Sequence, residues 1–257
     1  MSAKLTESEL RKVALEHGGY GTPALNDKLF LHYKGYQRIE NLDAYVGLKA
    51  LWLDSNGLQT IENLSHLIRL RCLYLQRNLI STIEGLGGLK SLVHLDLSEN
   101  CLTKLEGLSC LPDLATLSVA NNALSNADSI RHLSKCKSIK VLDLSHNKVS
   151  GGDDVLDILS ACPNLAALNL VGNPIASEMS NFRKKFIFVL KGLKYLDNPV
   201  FDKERATVGA WASGGLEAEI QTKKDWEEQQ KTEDRQQTEQ FRIWQANLRT
   251  EAQKISS

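Results

Sequence analysis

Residues 48–58 run Leu48-Lys49-Ala50-Leu51-Trp52-Leu53-Asp54-Ser55-Asn56-Gly57-Leu58. The same spacing, L-x-x-L-x-L-x-x-N-x-L, starts again at Leu70, Leu92, Leu114, Ile139 and Leu165, and self-similarity at a fixed period is the mark of a repeat architecture. The six asparagines, Asn56, Asn78, Asn100, Asn122, Asn147 and Asn173, lie 22, 22, 22, 25 and 26 residues apart. A weaker copy, Leu29-x-Leu31-x-x-Lys34-x-Tyr36, sits one period upstream with Lys34 in the Asn place, so the chain reads as roughly seven turns of a solenoid. No single unit can bury its own leucines. Stacked neighbours form one continuous core in which each buried Leu contributes about 1.5–3 kcal/mol. The Asn reads as a polar side chain that satisfies backbone groups of adjacent loops, because an unpaired buried amide costs about 1–3 kcal/mol.

This pattern predicts an α/β leucine-rich repeat solenoid with 22-residue repeats and a parallel sheet on its concave side. The expected organisation is an N-terminal cap over residues 1–24, repeats over 25–173, a C-terminal cap and post-cap segment over 174–215, and a charged Gln/Glu/Lys-rich tail over 216–257. Thr6-x-x-Glu9 has the form of a capping box ahead of Leu10, Val13 and Ala14, and His17-Gly18-Gly19 stops that helix. At the other end, Gly172-Asn173-Pro174 closes the last strand and Phe182-Arg183-x-x-Phe186-Ile187-x-Val189-Leu190 supplies an apolar lid. It resembles the C-terminal cap of leucine-rich repeat proteins of the 22-residue class. Only Leu216 and Leu248 follow Leu196, so the tail cannot extend the core. It reads as a solvated helix or a disordered segment, with Phe241, Trp244 and Leu248 spaced as one small helix face.

Lys and Arg total 31 and Asp and Glu total 31 in 257 residues, a formal net charge of zero that argues against a polycationic partner for nucleic acid or anionic membrane. The first residues lack the apolar run of a secretory signal, and Phe186 to Leu190 is too short to span a bilayer. An intracellular, soluble protein is expected. Five cysteines, at 72, 101, 110, 136 and 162, form no C-x-x-C pair, which points to reduced, packed thiols rather than a disulfide framework or zinc site. Nucleotide-binding, nucleophile-elbow and metalloprotease motifs are all missing. No catalytic group, metal or cofactor is expected, and the chain is read as a non-enzyme.

Binding is therefore sought on the concave face, where the third, fifth and seventh positions of each unit point away from the leucines. The fifth-position column runs Phe30, Trp52, Tyr74, Asp96, Ser118, Asp143, Asn169. Rigid aromatics beside Arg are the material of binding hot spots. The candidate surface is Phe30, Trp52, Asp54, Arg71, Tyr74, Gln76, Arg77, His94 and Asp96, with Lys49 at its margin. The bland alternative is that the three aromatics merely stack across strands and cover the sheet.

Several stretches say more than repeat. Leu25-Asn26-Asp27-Lys28-Leu29-Phe30-Leu31-His32-Tyr33-Lys34-Gly35-Tyr36, with Ile39-Glu40-Asn41-Leu42 and Leu51-Trp52-Leu53, resembles the N-terminal region of the axonemal dynein assembly factor 1 family, as does Val141-Leu142-Asp143-Leu144-Ser145-His146-Asn147-Lys148. The most specific stretch is the post-cap Leu196-Asp197-Asn198-Pro199-Val200-Phe201-Asp202-Lys203-Glu204-Arg205-Ala206 with Ala210-Trp211-Ala212-Ser213-Gly214-Gly215, although family members often carry Arg where Ser213 stands. The resemblance spans residues 8–230. It implies a non-enzymatic cytoplasmic factor associated with cilia or flagella, which preassembles outer dynein arms with dynein heavy and intermediate chains and chaperones as partners. Nucleic acid and membrane are not expected as partners, and a monomer is. The alternatives are a regulatory subunit of type-one protein phosphatase and a structural axonemal or ribonucleoprotein subunit.

Overall fold

The computed structural model describes residues 4–255, with side chains placed for residues 4–245. It divides into two units, one ending at Val200 and one starting at Phe201. The first unit carries nine short strands in sequence order: β1 (Lys28–Phe30), β2 (Ala50–Trp52), β3 (Cys72–Tyr74), β4 (His94–Asp96), β5 (Thr116–Ser118), β6 (Val141–Asp143), β7 (Ala167–Asn169), β8 (Tyr195–Leu196) and β9 (Asn198–Pro199). The first eight pair in parallel and β9 turns back antiparallel on β8. Register follows the repeat: Leu29, Leu51, Leu73, Leu95, Leu117, Leu142 and Leu168 face one another along the stack. All seven are essentially inaccessible.

The repeat asparagines tie adjacent coils together. Asn78 Nδ2 donates to the carbonyls of Leu53 and Leu75, both at 3.0 Å, while its Oδ1 accepts from Leu58 N–H at 3.0 Å. Asn56, Asn100, Asn122, Asn147 and Asn173 repeat the same bonds one coil along. Asn78, Asn147 and Asn173 are buried, and the other three are half-buried. The tight turn itself falls one residue earlier than the Asn. Tyr33, Ser55, Arg77, Glu99, Asn121 and His146 all have left-handed backbone, with φ between 53° and 58°. Each lends its N–H to a carbonyl of the next coil, as Ser55 does to Gln76 at 2.9 Å. That interstrand bond offsets a conformation costing about 1–2 kcal/mol per residue.

The convex side depends on repeat length. The 22-residue coils close with turns and an occasional 3-10 segment, whereas the longer ones hold α2 (Ala127–Ile130) and α3 (Gly152–Ser160). Three or four extra residues are about one helical turn. Coils also pack closely here: a Cβ on Gly88 would sit 1.8 Å from the Ser65 carbonyl oxygen.

Both ends of the first unit are closed. Helix α1 (Glu7–Glu16) starts at Thr6, whose side chain accepts from Glu9 N–H at 3.3 Å, and it buries Leu10, Val13 and Ala14. Asn26, nearly inaccessible, holds the descent into β1 through bonds to Tyr20, Thr22 and Pro23. At the far end, α4 (Ile175–Glu178) and α5 (Phe182–Val189) bury Ile175, Phe186 and Ile187. Arg183 then donates to the carbonyls of Leu196 and Pro199, which occupies the last sheet edge.

The second unit is helical from Asp202 to Ile255 and is broken at Gly215, where φ is 71° and ψ −157°. Lys203 Nζ reaches Glu227 Oε1 at 3.3 Å, so the arm of residues 202–214 folds back beside the start of the arm that follows Gly215. Phe241 and Trp244 stack at 5.5 Å and are both 54% exposed. Leu248, the third member of that expected face, lies outside the described side chains.

Candidate functional site

Parallel strands about 4.8 Å apart bring identical repeat positions into column. On the concave face this makes the fifth-position aromatics into a continuous stack. Phe30 and Trp52 have ring centroids 4.4 Å apart and planes 22° apart; Trp52 and Tyr74 lie 5.0 Å apart at 13°. His94, from the third position of the next coil, continues it at 5.0 Å from Tyr74. At the other end His17, at the C-terminus of α1, packs 5.1 Å from Phe30. The resulting ladder is His17, Phe30, Trp52, Tyr74, His94. His32 meets Phe30 edge-on at 6.3 Å. The column stacking expected as the bland alternative is present, and the stack remains on the open face because all three central rings are only half-buried.

Electrostatics divide the face along the solenoid. Burial holds the His94 imidazole below its ordinary value of 6.5, against the opposing pull of Asp96. No hydrogen bond joins the two: Asp96 Oδ1 instead accepts from Ser98 N–H at 2.9 Å and from the Ser98 hydroxyl at 2.5 Å. That hydroxyl also meets Ser118 Oγ at 2.6 Å, and Asp143 accepts from Ser145 N–H at 2.9 Å. The fifth-position column from β4 onward is thus polar and acidic, through Asp96, Ser118, Asp143 and Asn169, with Val141 and Val171 exposed beside it. Burial also raises the Tyr74 phenol above its ordinary value.

The remaining expected residues divide between the two margins. Arg77 follows β3 and is held by Glu99 at 3.1 Å; the bond to that carboxylate raises its pKa most, with Tyr33 adding to it. Arg71 precedes β3 on the opposite margin, near Lys49 and Arg69 around one shallow depression with Ser91 and Asp113. Lys49 lies 3.7 Å from Asp27, whereas among the described residues neither Arg69 nor Arg71 makes an ion pair. Asp54 is 9% exposed and offers little surface. Gln76 Oε1 is buried with no partner among the described residues.

Two participants escape a repeat-by-repeat reading. His17 belongs to the cap, and nothing in the 22-residue period places a cap residue against Phe30. Arg69 lies outside the strand motif and lines the same depression as Arg71. The cysteines play no part at the ladder beyond the contact of Cys72 with Tyr74. Burial pushes the Cys136 thiol up to about 11 and raises Cys162 as well, so both are packed, protonated groups. Among the described residues no cluster of His, Cys, Asp or Glu can hold a metal ion, and no helix is long and apolar enough to cross a membrane.

A leucine-rich repeat family signature matches residues 20–158. The chain is 64% identical over 229 residues to dynein axonemal assembly factor 1 of Homo sapiens, covering 89% of this chain and 31% of the human protein. It is 55% identical over 220 residues to the leucine-rich repeat-containing protein ODA7 of Chlamydomonas reinhardtii, covering 85% and 51% of the two chains. The chain thus spans between about a third and about half of these relatives' lengths. Among solved structures, an internalin C2 from Listeria monocytogenes superposes with a TM-score of 0.54 at 20% identity, over 73% of this chain and 91% of that one. An internalin from the same organism gives 0.55 at 22%, over 68% and 48%. At such identity the internalins speak for the solenoid fold alone.

Proposed function

Since the chain belongs to the leucine-rich repeat family and, within it, to the dynein axonemal assembly factor 1 family, we propose that it is a non-enzymatic scaffold that binds dynein-arm subunits in the cytoplasm and aids their preassembly for cilia or flagella. The concave face is the binding surface. The observation that carries this reading is the Phe30–Trp52–Tyr74 stack, half-buried on an otherwise open sheet. Preordered aromatic rings lose little entropy on binding and bury large areas, which is why they dominate interface energetics. A stack anchored on seven rigid strand pairings holds its shape before any partner arrives. The partners fitting this reading are axonemal dynein heavy and intermediate chains, with chaperones.

The test is quantitative mass spectrometry of proteins recovered with the tagged chain from cytoplasmic extract of ciliated or flagellated cells. Dynein chains are expected among the enriched proteins. Trp52→Ala with Tyr74→Ala is expected to weaken their binding by at least about 2 kcal/mol, the hot-spot range, while the leucine core stays folded. Enrichment of phosphatase catalytic subunits instead, or recovery only from isolated axonemes, overturns the reading. Unchanged affinity in the double variant removes the aromatic stack from it.

A further inference from the structure

The ladder exposes ring edges rather than ring faces. Trp52 has Phe30 on one face and Tyr74 on the other; Phe30 lies between His17 and Trp52, and Tyr74 between Trp52 and His94. An aromatic ring is negative on its face and positive at its edge. With the faces occupied, little is left here for a cation to sit over, and the outward-pointing edges favour oxygen atoms. The half-buried Trp52 also carries an indole N–H, a donor with no accepting capacity. The margin where the strands begin adds Lys28 at the start of β1, with Lys49, Arg69 and Arg71 ahead of β2 and β3, all exposed, against the carboxylates of Asp27 and Asp113. Farther along the same face, Asp96 and Asp143 reverse the sign.

We propose that the β1–β3 part of the concave face, with its rim of Lys28, Lys49, Arg69 and Arg71, binds an acidic, extended peptide segment of a partner protein. Carbonyl and carboxylate oxygens of that segment meet the positive ring edges, while its apolar side chains cover the half-buried surface around them. Its carboxylates meet Arg69 and Arg71, and its backbone carbonyls meet the Trp52 N–H. Asp96 and Asp143 repel an acidic chain that runs past β4, so segment and solenoid engage over the first three strands only. The proposal rests on the concave face being the binding surface and adds the chemistry of what it binds.

Two short fluorescein-labelled peptides sharing a Leu-Phe-Leu centre, one flanked by Glu and Asp and the other by Lys and Arg, are titrated with the full chain by fluorescence polarisation. The acidic peptide is expected to bind at least about ten-fold more tightly, with the preference shrinking as salt is raised to about 0.3 M. Arg69→Glu with Arg71→Glu is expected to abolish that preference, and Arg71→Gln to halve it or more, with unchanged thermal unfolding in both. Equal affinity, a basic preference, no binding of either peptide, or an acidic preference that survives charge reversal overturns the proposal. Recovery of dynein chains separates it from the reading beneath it. Loss of recovery with Trp52→Ala/Tyr74→Ala but not with charge reversal overturns the acidic-segment proposal and leaves the concave surface in place.

Discussion

A single Asn in each coil serves two coils at once. Asn56 accepts from the N–H groups of Lys34 and Tyr36 and donates to the Leu31 carbonyl, all in the preceding coil. The first coil has no preceding coil to satisfy, and there the Asn place is filled by Lys34, a departure from the motif that follows from the motif's own chemistry. Past the last coil, Asp197 Oδ1 accepts from Leu170 N–H at 2.6 Å, a place that a carbonyl of the next strand fills in earlier coils. Asn78→Ala would leave the buried Leu58 N–H without its acceptor and the Leu53 carbonyl short of a donor. Each group stranded in this way costs about 1–3 kcal/mol. Urea unfolding is expected to show a loss of at least that size; a loss under about 0.5 kcal/mol, the range of ordinary surface changes, would mean that water replaces the amide. The repeat asparagines and their purpose were legible in the motif. The left-handed residue before each was not, because Tyr33, Ser55, Arg77, Glu99, Asn121 and His146 share no chemistry that marks the position.

At the level of the strand column, the concave face has its own pH dependence. His94 titrates at its ordinary 6.5 in the unfolded chain and lower in the fold, because burial beside Tyr74 outweighs the attraction of Asp96. Between those two values the unfolded chain holds a proton that the folded ladder refuses. Stability contributed here is therefore complete above about pH 6.5 and falls as the pH drops below it. His94→Phe keeps a ring against Tyr74 and removes the titration. Its melting temperature is expected to decline less than that of the unaltered chain between about pH 7.5 and 5.5, and equal declines would place the acid sensitivity elsewhere. The column of Phe30, Trp52 and Tyr74 was readable from repeat phase, as was the shared face of His94 and Asp96. Phase leaves their partners open: His94 turns to the aromatic neighbour and Asp96 to Ser98, a choice between competing side-chain partners.

Across the whole first unit, each coil contacts only its neighbours, so stability is shared along the stack. Leu97 sits in the central coil with no accessible surface. Leu97→Ala opens a cavity expected to cost about 2–5 kcal/mol in equilibrium unfolding. A cost below about 1 kcal/mol would show that neighbouring coils close over the gap. The order of coils, the Leu core and the aromatic column all follow from a period printed in the chain, because a parallel solenoid converts sequence spacing directly into spatial neighbours. Helices α2 and α3 follow from the same arithmetic, through coils long enough to hold an added turn. Other features depend on contacts between residues that no period relates. Helix α1 brings His17 onto Phe30, stacked coils set Arg69 and Arg71 around one depression with Lys49 and Asp113, Glu99 pairs with Arg77, and stacking covers the ring faces. Periodicity assigns a residue to a face of the coil; which neighbour it then touches, and what charge that face presents, is settled by packing among side chains whose rotamers and competing partners exist only once the coils are stacked.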